Sequence, residues 1–139
     1  MKPLFKTLAC VAALMCAARA GAADLTVVID DVKSAEGQLM IAVFDSAATF
    51  LQQPTKAVQA PAVAGSATVV LKNMPEGDYA ISLYHDANGN GKMDRNAVGM
   101  PIEDYAFSNN AMGRRGAPSF EQARVVLPAA GAVIHISLN

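Results

Sequence analysis

Asp86, Asn88 and Asn90 set hard oxygen donors at alternate positions of the segment His85-Asp86-Ala87-Asn88-Gly89-Asn90-Gly91-Lys92-Met93-Asp94. Side-chain oxygens at positions 1, 3 and 5, a glycine at 6, a backbone carbonyl at 7 and a further ligand at 9 form the donor pattern of a calcium loop. In this chain Gly91 takes position 6, Lys92 offers its carbonyl at 7 and Asp94 stands at 9. Alternate spacing suits a cation because a tightly curled backbone turns every second side chain toward one centre. Glycine permits the positive φ that such curling needs. The departure is position 12, where a bidentate Glu closes an EF-hand shell and this chain has Ala97, which leaves no spare ligand unless Glu103 folds back through the Gly99–Pro101 turn. Only Asp86 and Asp94 bring formal charge, so Ca²⁺ affinity should be weak, on the order of 10⁻⁴–10⁻³ M as in extracellular modules. Asn and Gly are also ordinary turn residues, and a plain connection between two strands is the competing reading.

Other chemistry is thinner. His85 beside Asp86, with Glu103 downstream, could supply acid and base to a hydrolase. No Gly-x-Ser-x-Gly elbow and no His-x-x-x-His pair accompanies them. His135 lies between Ile134 and Ile136 in a strand-like run, where an exposed or satisfied histidine is the default. Arg114 and Arg115, between Gly113 and Gly116, offer either an anion contact or a solvated basic pair.

The compartment follows from the first 23 residues. Lys2 and Lys6 precede an apolar stretch from Leu8 to Ala18, and Ala18-Arg19-Ala20 and Ala20-Gly21-Ala22 are small-x-small cleavage patterns. That is the layout of a signal peptide, cut after Ala20, Ala22 or Ala23, and the run is too short to span a bilayer. Residues 1–23 are therefore expected to leave, and 24–139 to form one domain in the periplasm or outside the cell. Both cysteines, Cys10 and Cys16, go with the signal, and neither has the Leu-small-small approach of a lipidation site. The mature chain must rely on a packed core or a bound ion.

Composition narrows the partners. The whole chain is 53% hydrophobic and 17% charged with a net charge of -1, which excludes a disordered tail. Loss of Lys2, Lys6 and Arg19 leaves 8 basic against 12 acidic residues. A mildly acidic domain has no cationic surface for nucleic acid.

The elements that must position the loop are short strands. Leu25–Val32, Gln38–Phe44, Ala67–Lys72, Asp78–His85, Ala123–Leu127 and Ala132–Leu138 alternate apolar and polar residues or are rich in β-branched ones. Glu36-Gly37 is expected to turn a hairpin, and the last two strands another around Pro128-Ala129-Ala130-Gly131. Asp45-Ser46 should cap one helical turn before Pro54, and Ala57–Ala64, with Pro61, should add an edge strand. Asn73-Met74-Pro75-Glu76-Gly77-Asp78-Tyr79 predicts a corner whose tyrosine buries its ring and bonds nearby backbone. The expected fold is all-β: a two-sheet antiparallel Greek-key sandwich, immunoglobulin- or prealbumin-like, with a long irregular loop over 96–120 pinned by Phe107 and Phe120.

Several motifs resemble those of a bacterial family of small exported proteins, domain of unknown function 2141 (DUF2141). They are Gly77-x-Tyr79-Ala80, Tyr84-His85-Asp86-x-Asn88-x-Asn90-Gly91-x-x-Asp94, Gly99-x-Pro101-x-Glu103, Phe107-Ser108-Asn109-x-Ala111 and Gly116-x-Pro118-x-Phe120-x-x-Ala123. The resemblance implies an exported sandwich module. The loop is also similar to the calcium loops of B-type domains in bacterial surface adhesins, which usually carry an acidic residue where Ala97 stands. The function expected is a non-catalytic module, stabilised by one Ca²⁺ on Asp86, Asn88, Asn90, Lys92 and Asp94, that binds a protein or glycan of the cell envelope. The alternatives are a hydrolase using His85, Asp86 and Glu103, and a soluble carrier holding a small apolar ligand between its sheets.

Overall fold

In a computed structural model, residues 22–138 are described. The export segment expected over 1–23 lies outside them except for Ala22 and Ala23, which open the first strand.

Strict alternation sets the first layer. β1 (Ala22–Val32) turns Leu25, Val27 and Ile29 fully inward, as a period of two requires. It lies at the centre of a three-stranded sheet between β4 (Gly65–Pro75) and β8 (Ala132–Ser137). β4 runs antiparallel to β1, whereas β8 runs parallel to it, pairing Val27 with Ile134 and Ile29 with Ile136. The second sheet orders β3 (Lys56–Pro61), β2 (Gln38–Phe44), β5 (Gly77–Asp86) and β6 (Tyr105–Phe107), all antiparallel, with β7 (Val125–Leu127) on the start of β5. Leu39, Ile41 and Val43 of β2 and Ile81 and Leu83 of β5 meet the apolar face of β1 in one core. The protein is an all-β sandwich of two sheets, antiparallel but for one pairing.

Two connections differ from expectation. Glu36-Gly37 does not turn a hairpin, because β1 and β2 belong to different sheets and the link crosses between them. Pro128–Gly131 likewise joins β7, which pairs with β5, to β8, which pairs with β1. Alternation decides which face of a strand is buried and is silent on which strand lies beside it. Either arrangement buries Leu127 and Ile136.

Other local expectations hold. β3 is an edge strand that ends at Pro61, where no further donor is needed. Tyr79 buries its ring and donates its hydroxyl to the Pro75 carbonyl at 2.6 Å. One does not hold: the segment after Phe44 forms turns joined by Ser46 and Thr49, with no helix capped by Asp45 or Ser46. Phe107 and Phe120 both stack edge-on against Phe50, which also meets Phe44, and so hold the long loop to the sandwich.

Candidate cation loop

β5 carries the site. Tyr84 and Asp86 are two residues apart and share its outer face, whereas His85 points to the opposite one. Asp86 ends the strand as a buried residue, 2% exposed. An anion so placed needs donors, and the next turn supplies them. Asn90 N–H donates to Asp86 Oδ1 at 3.2 Å and Gly91 N–H to Oδ2 at 2.8 Å. Residues 86–91 thereby wind around the carboxylate, and Gly91 takes the left-handed φ of 77° that the winding demands.

Asp94 closes the ring. Asn90 Nδ2 donates to its Oδ1 at 2.7 Å, and Asn88 Nδ2 donates to its Oδ2. These two amides, Asn90 foremost, hold the Asp94 carboxyl below the ordinary aspartate value of 3.8. The oxygens of Asn88 and Asn90 accept the N–H groups of Asn90 and Lys92 at 3.3 and 3.0 Å. Asp86, Asn88, Asn90, Lys92 and Asp94 thus form one hydrogen-bonded unit.

Glu103 joins them from outside the expected frame. The chain doubles back in a small hairpin, with Arg95 bridged to Pro101, Ile102 N–H on the Asp94 carbonyl and Asn96 N–H on the Met100 carbonyl. Glu103 Oε1 then accepts Asp94 N–H at 2.8 Å, and Oε2 accepts Ala87 N–H at 3.1 Å. A carboxylate therefore reaches the loop although Ala97 carries none. The Tyr84 hydroxyl registers the cluster: burial chiefly, then the charges of Asp86, Glu103 and Asp94, push its pKa above the ordinary value.

A close backbone approach fixes where the loop begins. A Cβ on Gly37 would sit 1.9 Å from the Asp86 carbonyl oxygen, and Gly37 has φ of 67°, so only glycine fits. The preceding residue completes the buttress, its Glu36 carbonyl bonding His85 Nε2 at 2.6 Å. His85 and Asp86 therefore face apart, and Glu103 spends both oxygens on backbone. The acid–base trio expected of a hydrolase shares no hydrogen bond between its side chains.

Among the described residues no three His, Cys, Asp or Glu side chains lie close enough together to hold a metal, so any cation here would draw on amide and carbonyl oxygens as well. Calcium accepts amide and backbone carbonyl oxygens as readily as carboxylates. A half turn about χ2 of Asn88 or Asn90 exchanges the amide nitrogen facing Asp94 for an oxygen.

Ser108, Asn109 and Asn110 are anchors that sequence reasoning left without a role. Fully buried Ser108 Oγ accepts Ile81 N–H at 2.9 Å and donates to the Ala123 carbonyl. Asn109, at φ of 60°, donates to the Arg124 carbonyl at 2.6 Å, and Asn110 Oδ1 accepts Ser137 N–H at 2.8 Å. They lash the end of the long loop to α1 (Phe120–Ala123) and both sheets. The capping box of α1, Ser119 with Gln122, was legible as Ser-x-x-Gln.

Fold and site together define a two-sheet β-sandwich with an oxygen-lined loop at the end of a central strand. A family model described as "Uncharacterized protein conserved in bacteria (DUF2141)" matches residues 27–135. The chain belongs to that family. No curated protein and no solved structure matches it.

Proposed function

We propose that this protein is a non-catalytic, exported β-sandwich module of Greek-key, immunoglobulin-like type. One Ca²⁺ in the 86–94 loop stabilises it, and it acts by binding a protein or glycan of the cell envelope, in the periplasm or after secretion. One observation carries the reading: Asp86, Asn88, Asn90 and Asp94 are joined by hydrogen bonds within one loop, and Glu103 accepts backbone N–H groups at both its ends. His85, the imidazole beside them, is committed to the Glu36 carbonyl, which speaks for architecture over proton transfer. Between the sheets the space is taken by Leu25, Val27, Ile29, Leu39 and Ile81, which speaks against an apolar ligand carried there.

Calcium that binds only the native state stabilises it by RT ln(1 + [Ca²⁺]/Kd), about 1.4 kcal/mol at ten times Kd. The expected result is a higher melting temperature in millimolar Ca²⁺ than in chelator. Mg²⁺ should have little effect, since it prefers a tighter octahedral shell. Asp94→Ala should remove the calcium increment. Asp86→Ala should remove it too, and should also lower stability in chelator because two backbone N–H groups lose their acceptor. Absence of both a heat of Ca²⁺ binding and a melting shift would refute the calcium reading.

A further inference from the structure

We infer that a cleft on the outer face of β5 and β6, beside the cation loop and sharing Met93 with it, binds a small amphipathic carboxylate: an anionic head on an apolar body. The cleft has a volume of about 780 Å³, inside the range of small-molecule sites. Its floor follows from register. Tyr84 pairs with Tyr105 and Ser82 with Phe107, so three aromatic side chains stand on one face of adjacent strands. The Tyr105 and Phe107 rings pack edge-on, 6.0 Å apart. Met93 and Met100 add flexible apolar wall, a lining that adapts to irregular ligands.

Charge separates this cleft from the rest of the surface. Arg95, Arg114 and Arg115 line it, and no Asp or Glu is among its described lining residues. Three of the four arginines that follow Arg19 in the sequence thus converge on one concavity of a chain whose net charge is negative. None of the three has an ion-pair partner among the described residues, whereas Arg124 pairs with Asp78 and Glu121. Arg95 is steered by a bond from Nη1 to the Gly99 carbonyl at 3.0 Å. Arg114 and Arg115 sit on a turn that must stay tight, since a Cβ on Gly113 would meet the Gly116 carbonyl oxygen at 2.2 Å.

Guanidinium groups recognise carboxylate through paired N–H donors. The remaining lining chooses the body of the ligand. Sugars demand many amide and carboxylate partners, and Ser82 and the two tyrosine hydroxyls are the only uncharged side-chain hydrogen-bonding groups among the described lining residues. An acyl or aryl body fits the aromatic and thioether floor. The inference does not depend on a cation in the neighbouring loop.

Titration calorimetry of the purified protein with sodium decanoate tests it, with decanol, acetate and a polyuronate as comparisons. Saturable one-to-one binding of decanoate is expected, at least about tenfold tighter than decanol or acetate, and weakening as salt is raised. Joint Arg114→Gln and Arg115→Gln substitution should weaken decanoate about tenfold, erase its advantage over decanol and leave the melting temperature unchanged. Tyr105→Ser should weaken decanoate and decanol alike. The inference is overturned if decanoate gives no saturable heat, if decanol binds equally well, if the polyuronate binds more tightly, or if the double arginine variant binds as the parent does.

Discussion

Glu103 Oε1 accepts the Asp94 amide at 2.8 Å while its other oxygen accepts that of Ala87, so one carboxylate clamps both ends of the loop. Glu103→Ala leaves two N–H groups to find water instead. Each hydrogen bond to a charged group contributes about 1.5–3 kcal/mol, and the half-exposed position places the joint loss nearer 1–2 kcal/mol. Glu103→Gln, which keeps an oxygen acceptor, should lose about half as much. Denaturant melts in chelator measure this, and equal stability of all three proteins would show that the clamp is idle.

How much of this was legible in advance differs residue by residue. Asp86, Asn88, Asn90 and Asp94 could be paired with a loop because alternate spacing is a local property. Glu103 could be offered only conditionally, as a donor folding back through the Gly99–Pro101 turn, because alternation does not announce the Arg95–Pro101 hairpin that brings it there. Gly37 looked like a turn glycine, and its φ agrees, but its stricter constraint is the Asp86 carbonyl 49 positions on. Strand faces were legible from period two and strand neighbours were not, which is why Pro128–Gly131 looked like a hairpin. The arginine cleft was invisible for the same reason: Arg95 and Arg114 come to line one concavity only in the folded chain, where β5 and β6 are paired.

Tyr79 gives the sharpest test of the sandwich corner. The residue is 6% exposed and its hydroxyl reaches the Pro75 carbonyl. Tyr79→Ala should cost about 3–5 kcal/mol, the scale of a large buried aromatic. Tyr79→Phe should cost about 1 kcal/mol for the single hydrogen bond. An alanine cost below about 1 kcal/mol in denaturant melts would contradict the buried corner.

Processing can be predicted more narrowly from the first strand. Ala22 pairs with Pro75 and Ala23 with Met74, and Ala23 is buried in the core. Cleavage after Ala20 keeps both residues, whereas cleavage after Ala23 removes them. The mature N-terminus is therefore expected to keep Ala23, at Gly21 or at Ala23 itself. Intact-mass measurement on protein recovered from its native compartment decides, and a chain beginning at Asp24 would contradict the prediction.

The last prediction concerns acid. Asp94 has its carboxyl held low, first by the Asn90 amide and then by that of Asn88. A depressed carboxylate stabilises the fold fully above its unfolded value and loses that contribution as pH falls through the folded value. The loss belongs to the window below the ordinary value of 3.8. Asp30 contributes in the same direction, held low mainly by its bond to His135 and next by Ser66, so acid melts alone do not separate the two. Carboxyl resonances do. NMR titration should place the Asp94 midpoint below 3.8, and Asn90→Ala should move it upward while leaving Asp30 in place. Added Ca²⁺ should push Asp94 lower still, because a cation favours the charged form as the amides do. An Asp94 midpoint at or above the ordinary value, or one indifferent to Asn90, would mean that the amides do not neutralise this charge, and the physical link between the loop's hydrogen bonds and its affinity for a cation would be lost.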